Sequence, residues 1–597
     1  MSKTASYDTA PWARHYTATM AAGLPALNHA SVAGMLTEAA SQYRHQTAFT
    51  TCMPNGMYGS LSFAQTEDMS NAFAVYLRES LSVKPGTRVA VQMPNCLSYP
   101  VAAFAVLKAG CILVNVNPLY TPAEMEHQFN DSGAEVLVIM DMFADKLDAI
   151  MDRTPIKHVV MTSVSQWFPP VVRRVLNLVL KYWNKAIPVH HVSCTPMDQA
   201  LETGRRLRDN RGIRVRDYWE PLTRDTIALL QYTGGTTGVS KGAALTHGNL
   251  LANIQQIDTM AGAHMADGQE CVLTALPLYH IFAFTVNLLA FYQHGAHNVM
   301  VPSPRPIQNC QRAIENFPIS WISGVNTLYN ALLNEEWFNL YPPGTLKAAL
   351  AGGTALHRAV AKRWQQTAGC PIAEGYGLTE TSPTLCFNPL DNARPDSIGI
   401  PVPGTQIRIV DEQGDCVAPG ERGEIIARGP QVMAGYWQRP EETAKSLKEG
   451  WFYTGDVAYM DPEGYFHIVD RKKDMVLVSG FNVYPNEVED CIALLDQVQE
   501  SAVIGVPDDK TGEAVRAYVV LREEGLSGMD IRQHCKRYLA AYKVPQSVEF
   551  RPDLPKTPVG KVLRKELRAQ LTQEKPVAMS PGSNKDRANK DNKEKVA

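Results

Sequence analysis

Residues Ile227–Gly242 read IALLQYTGGTTGVSKG. The apolar run Ile227 to Leu230 predicts a buried strand, and the residues after it form a loop built for anions. Gly234, Gly235 and Gly238 let the chain turn sharply and leave backbone N–H groups unshielded. Thr233, Thr236, Thr237 and Ser240 add hydroxyls, and Lys241 adds a positive charge. Such a loop suits a polyphosphate. It is not the common P-loop, which has Gly-Lys followed directly by Ser or Thr. Here the lysine comes three residues after Gly238, and Gly242 comes next.

On the N-terminal side, strand-like and helix-like segments alternate. Arg88–Met93, Cys111–Val116 and Glu135–Met140 read as short buried strands, and Phe63–Ser80 and Tyr99–Ala109 as helices. That alternation argues for an α/β fold with mostly parallel strands. The uncharged run Cys271–Tyr292 is long enough to span a bilayer, but Pro277, His280 and Asn287 interrupt it. A strand, a bend and a buried helix are expected there. Trp167–Ile187 carries a basic amphipathic pattern with aromatic ends. Packing on its own domain and contact with an anionic bilayer both remain open for it.

Three more segments carry chemistry. Glu374–Glu380 reads EGYGLTE, with Gly352 and Gly353 about twenty residues earlier. Tyr376 offers a flat face for an aromatic base, and Thr379 and Glu380 offer a hydroxyl and a carboxylate suited to phosphate and Mg²⁺. Tyr453–Asp456 reads YTGD and is followed by Asp470–Asp474, DRKKD, a carboxylate and an arginine that suit ribose hydroxyls. Pro555–Lys561, PKTPVGK, presents a lysine near the C-terminus.

The chain has 597 residues, more than one ordinary domain of roughly 100–200. A hydrophobic fraction of 45% excludes a mainly disordered chain, a fibre or a small disulfide scaffold. Lys+Arg 57 against Asp+Glu 60 gives a net charge of −3, so nothing in the overall charge argues for a nucleic-acid partner. Eleven scattered cysteines without a C-x-x-C pair suit a reduced, cytoplasmic protein. The N-terminus has no apolar signal-like run.

In this order and spacing, YTGGTTGVSKG, PLYHIFAF, EGYGLTE, YTGD, VDRKKDMVLVSGFNVYPNEVED and LPKTPVGKVLRKELR resemble the adenylate-forming superfamily. GPQVMAGYWQRP (Gly429–Pro440) and VNVNPLYTPAEMEHQFNDSGAEVLVI before it are similar to bacterial long-chain-fatty-acid–CoA ligases. The resemblance implies an α/β, multi-subdomain N-terminal domain (1–472), a small mobile α+β domain (473–575) and a disordered tail (576–597). It implies ATP, Mg²⁺ and coenzyme A as cofactors or co-substrates, and a fatty acid ligated to CoA through an acyl-adenylate.

Carried over residue by residue, Thr233, Gly234, Gly235, Thr236, Thr237, Gly238 and Lys241 would hold the β/γ-phosphates. Tyr376 would stack on adenine with Gly352, Gly353 and Glu374 nearby. Thr379 would touch the α-phosphate, Glu380 would hold Mg²⁺, and Asp456 with Arg471 would take the ribose. Lys561 would serve adenylation, His280 would border the acyl site, and Lys473 would be the hinge that brings Gly480 in for the CoA step. Phe284 stands where some relatives have an aromatic gate to the acyl tunnel. Leu477 stands where many aryl- and acetyl-CoA ligases carry a lysine. Aryl- or medium-chain acyl-CoA ligases, and acyl-AMP ligases with another acceptor, share the first step and stay open. A homodimer and a peripheral contact with the inner membrane surface are further expectations.

Overall fold

The structure is a computed structural model that describes residues 7, 9–183, 185–233, 240–508, 510–523 and 525–573. Gly234, Gly235, Thr236, Thr237 and Gly238 of the phosphate-type loop, and the tail 576–597, lie outside the described residues.

Two large sheets form the body. In one, Arg88–Gln92, Ile112–Val116, Val136–Met140, His158–Thr162 and Ile227–Thr233 run parallel, and Lys241–Thr246 turns back antiparallel to Ile227–Thr233. All residues of Ile112–Val116 and Val136–Met140 are buried, as apolar runs in a sheet covered on both faces should be. In the other, Thr47–Cys52, His297–Met300, Cys271–Thr274, Trp321–Gly324, Ala348–Ala351 and Ile372–Gly377 lie parallel in that order. One hydrophobic cluster joins both sheets.

The helices between them start where the sequence offers caps. Ser62 and Gln65 form a reciprocal capping box at Phe63–Val75, and Thr246 and Asn249 do the same at His247–Ala261. Every residue of Ser98–Lys108 is buried, including Lys108, whose ammonium is taken up by Glu67, Ser70 and Asn71. The run Cys271–Tyr292 forms a strand, Cys271–Thr274, a bend through Pro277, and helical turns from Ile281 to Gln293. Among the described residues, no helix is long and apolar enough to cross a membrane.

A third, antiparallel sheet contains Gln406–Val410, Gly423–Arg428, Trp451–Met460 and Phe466–Arg471. A fourth contains Val476–Val478, Phe481–Val483, Val498–Asp508, Gly512–Leu521 and Ser547–Phe550, with its own hydrophobic cluster. Helices Pro485–Ile492 and Gly528–Tyr538 pack on it. Arg471–Asp474 is the turn between the third and fourth sheets, so Lys473 sits on the connection.

Candidate functional site

A cavity of about 1390 Å³ opens where these sheets meet. The strands that wall it end there because their sequences stop being apolar and become Gly- and Thr-rich. Thr233 and Lys241 face each other across the hairpin on either side of the loop and both line the cavity. The Lys241 ammonium pairs with Glu442 and lies 5.3 Å from the centre of the Tyr436 ring.

Gly352 and Gly353 follow strand Ala348–Ala351 into the cavity wall. A Cβ on Gly352 would stand 3.2 Å from the Phe282 ring and 3.3 Å from the Gly375 carbonyl, so only glycine leaves this wall flat. Tyr376 comes from the neighbouring strand, and its hydroxyl donates to Asp456 Oδ2 at 2.7 Å. Asp456 and Arg471 are direct antiparallel partners, which sets the Arg471 Nε 3.3 Å from Asp456 Oδ1. Tyr376, Asp456 and Arg471 are thus one bonded unit assembled from three strands.

Thr379 and Glu380 open the turn after that strand and line the same cavity. The Glu380 carboxylate accepts from the Tyr436 hydroxyl at 2.8 Å, and burial raises its pKa. Among the described residues, no cluster of three His, Cys, Asp or Glu side chains forms an all-protein metal cage. One cavity-facing carboxylate beside a hydroxyl is the donor set that suits Mg²⁺ shared with substrate phosphates.

Lys561 reaches the cavity from the C-terminal loop. That loop is closed by Thr557 N–H to Lys561 O at 2.7 Å and Gly560 N–H to Thr557 O at 2.8 Å. Gly560 has φ 91°, and a Cβ there would stand 2.5 Å from Thr327 Oγ1. The glycine therefore allows both the turn and its close seating on the body. Burial, then the charge of Arg471, brings the Lys561 pKa down to about 7. His280 begins the next wall; burial, then the Lys561 charge, holds its pKa down to about 4, so it is neutral at pH 7.

Beyond His280 the cavity wall is apolar, with Ile257, Ala261, Leu276, Ile281, Phe282 and Val286. Buried amides pin the backbone of this wall. Asn95 Nδ2 donates to Leu276 O at 2.9 Å and its Oδ1 accepts from Leu278 N–H at 2.8 Å. Gln231 Nε2 donates to Tyr279 O at 2.9 Å, and Asn115 Nδ2 donates to Gln231 Oε1 at 3.0 Å.

Two expectations need correction. Glu374 does not line the cavity. It is buried behind it, accepts from Leu356 N–H at 3.4 Å, and burial pushes its carboxyl up to about 8. Phe284 is wholly buried in the helix core and does not line the cavity; Phe282, two residues earlier, occupies the wall. Gly480 lies away from the cavity, in the turn joining Val476–Val478 to Phe481–Val483, where Ser479 and Gly480 both have positive φ. Two successive positive φ values are what a tight two-residue hairpin demands. Lys473 does line the cavity, with Lys561.

Tyr436, Phe282 and the Asn95–Gln231 set join the site only in three dimensions. Tyr436 stands inside the motif GPQVMAGYWQRP, which is its one signal in the sequence. Phe282, Asn115 and Gln231 also stand inside motif stretches, but nothing in those stretches says which side chains meet the site, and Asn95 lies outside them.

Residues 36–437 match the family model "AMP-binding enzyme", and residues 487–561 match "AMP-binding enzyme C-terminal domain". The chain belongs to the AMP-binding enzyme family. It is 45% identical over 560 residues to a long-chain-fatty-acid–CoA ligase of Escherichia coli O157:H7, covering 93% of this chain and 97% of that one. It is 35% identical over 577 residues to the ligase of the same name from Bacillus subtilis strain 168, covering 94% and 98%. Among solved structures, an anthranilate CoA ligase in complex with anthranoyl-AMP aligns with TM-score 0.77 and 25% identity, covering 92% of this chain and 98% of that one. The small C-terminal unit of this enzyme is therefore part of the family plan, and the cavity is the cleft between it and the larger matched region.

Proposed function

We propose that this enzyme joins a long-chain fatty acid to coenzyme A in two steps at this cavity. The observation that carries the reading is the continuity of one cavity, from the polar group Glu380, Arg471 and Lys561 past neutral His280 to the apolar wall at Ile281 and Phe282. A carboxylate head would lie beside cations while its tail lies on apolar surface.

In the first step a carboxylate oxygen attacks the α-phosphorus of ATP, forming an acyl–phosphate bond and releasing pyrophosphate. Thr233, Lys241 and the glycines and threonines between them hold the β/γ-phosphates, Tyr376 with Gly352 and Gly353 seats adenine, and Asp456 with Arg471 takes the ribose. Thr379 and Lys561 steady the α-phosphate as charge builds on it. Glu380, with Thr379 beside it, would hold Mg²⁺, which when bound offsets phosphate charge. In the second step the CoA sulfur attacks the acyl carbonyl, the acyl–oxygen bond breaks, and AMP leaves.

We assign residues 1–472 to the fixed part, 473–575 to a unit that swings about Lys473, and 576–597 to a tail. The swing withdraws Lys561 and brings the turn at Gly480 to the carbonyl. We further propose a cytoplasmic homodimer, checked by light scattering. AMP release over acids of six to eighteen carbons, against cinnamate-type acids, with and without CoA, tests the function. An optimum at short or aryl acids, or AMP release unchanged by CoA, sinks it.

A further inference from the structure

The helix Pro122–Ser132 stands beside the phosphate-type loop and carries none of the site residues assigned above. Its own position is firmly set. Thr121 and Glu124 cap its start reciprocally, and Met125, Phe129 and Ser132 are buried against the body. Gln128 Nε2 donates to Asn115 O at 2.9 Å, which ties the helix to the strand that pairs with Ile227–Thr233.

Two side chains one helical turn apart, His127 and Asp131, meet the described ends of that loop. At the incoming end the Tyr232 hydroxyl donates to Asp131 Oδ2 at 2.8 Å. At the outgoing end His127 Nε2 lies 3.2 Å from Ser240 O. A carbonyl only accepts, so the ring donates from Nε2. The Tyr232 ring lies against its strand partner Gly242, where a Cβ would stand 3.1 Å from two ring carbons. Glycine at 242 leaves the ring room to hold that position.

The other Asp131 oxygen is taken as well. Strand Gly435–Tyr436 lies antiparallel on Lys241–Thr246, and Trp437 N–H donates to Gly242 O at 2.8 Å. The chain that follows brings Arg439 Nη2 to 2.5 Å from Asp131 Oδ1, and Glu442 to the Lys241 ammonium. Asp131 does not line the cavity, whereas Tyr232, His127, Ser240 and Lys241 do. Arg439 meets the Asp131 charge, so the carboxylate adds little repulsion toward a phosphate group.

We infer that Asp131 and His127 are positioning residues for the β/γ-phosphates of ATP. From one helix they fix both ends of the loop, Asp131 through Tyr232 and His127 through Ser240. This rests on the reading of Thr233 and Lys241 as polyphosphate holders. The consequence is selective. AMP and the acyl-adenylate carry no β/γ-phosphates, so a displaced loop end weakens the hold on ATP and pyrophosphate and spares both of them.

The test is calorimetric titration of the full chain with ATP, pyrophosphate and AMP, with Mg²⁺ and without fatty acid. Asp131→Ala, and independently Tyr232→Phe, should raise Kd for ATP and pyrophosphate about tenfold, as the loss of one hydrogen bond to a charged group allows. Kd for AMP should not move, and thioester formation from supplied acyl-AMP and CoA should keep its wild-type rate. His127→Ala should give the same split from the other end. Tyr232→Phe keeps the ring on Gly242, so it decides the matter if Asp131→Ala folds poorly. The inference is overturned if ATP and AMP weaken together, or if the variants melt lower yet bind ATP like wild type. In either case a wild type that holds ATP more tightly than AMP keeps the reading of the loop. A wild type with no such difference overturns that reading, and this inference with it.

Discussion

Lys561 offers the most demanding check on the cavity chemistry. Burial and the neighbouring Arg471 bring its pKa down to about 7, so the free enzyme holds a mixture of charged and neutral lysine at physiological pH. Adenylation needs the charged form, because the α-phosphate gains negative character as the carboxylate attacks. The protonated fraction falls about tenfold per pH unit above the pKa, reaching about 1% at pH 9. In kcat/KM for pyrophosphate exchange, which reports the free enzyme, this gives an alkaline limb of about 100-fold between pH 6 and 9. Lys561→Arg should lower activity but erase that limb, since guanidinium keeps its charge throughout. Glu374, pushed up to about 8, titrates in the same range. Glu374→Gln must therefore retain the limb if it belongs to the lysine. A flat wild-type profile up to pH 9, or an unchanged limb in Lys561→Arg, would refute the reasoning.

Phe282→Ala should shift the chain-length preference in kcat/KM. Phe284→Ala should leave that profile alone and cost about 3–5 kcal/mol of stability, because its ring fills core rather than cavity. Asn95→Leu strands the buried Leu278 N–H and Leu276 O, at about 1–3 kcal/mol each. It should lower the melting temperature and raise KM for the acid more than KM for ATP; equal changes would deny it a part in shaping the acyl wall. His357 Nδ1 lies 2.7 Å from Asp490 Oδ1, joining the body to the C-terminal helix. Burial pulls its pKa down, but the hydrogen bond and charge of Asp490 overcome this and leave it raised. The contact is thus complete below the ordinary histidine range and is lost as pH rises through the raised value. Proteolysis near Lys473 should accelerate with that pH rise in wild type, and His357→Gln should flatten the response.

Much of this protein is legible in one dimension. Strands such as Val136–Met140 are buried on both faces, so burial demands an unbroken apolar run that reads directly from the sequence. A nucleotide site of the kind proposed needs glycines, hydroxyls and a flat ring at fixed local spacing, so Thr233–Lys241, Gly352–Gly353 and Tyr376–Glu380 stand out. Asp456 and Arg471 are both conspicuous as residues, but their pairing depends on an antiparallel register that only the sheet sets.

Direction is the property that one dimension does not carry. Phe282 and Phe284 are identical as residues, and only the roughly half-turn of helix between them puts the first on the cavity and the second in the core. Glu374 and Glu380 share one motif, yet the first turns to a backbone N–H behind the wall and the second meets Tyr436 inside it. The segment near residue 175 reads as one apolar face with basic residues. The structure splits it into a face that packs and a face that meets solvent, because Leu176 and Asn177 anchor the helix against the body. Residue type and short spacing thus determine which chemistry the chain carries. Where each group points was decided by the fold, since that rests on contacts between segments separated along the chain, from Ser165 with Asn177 to Asn95 with Leu276.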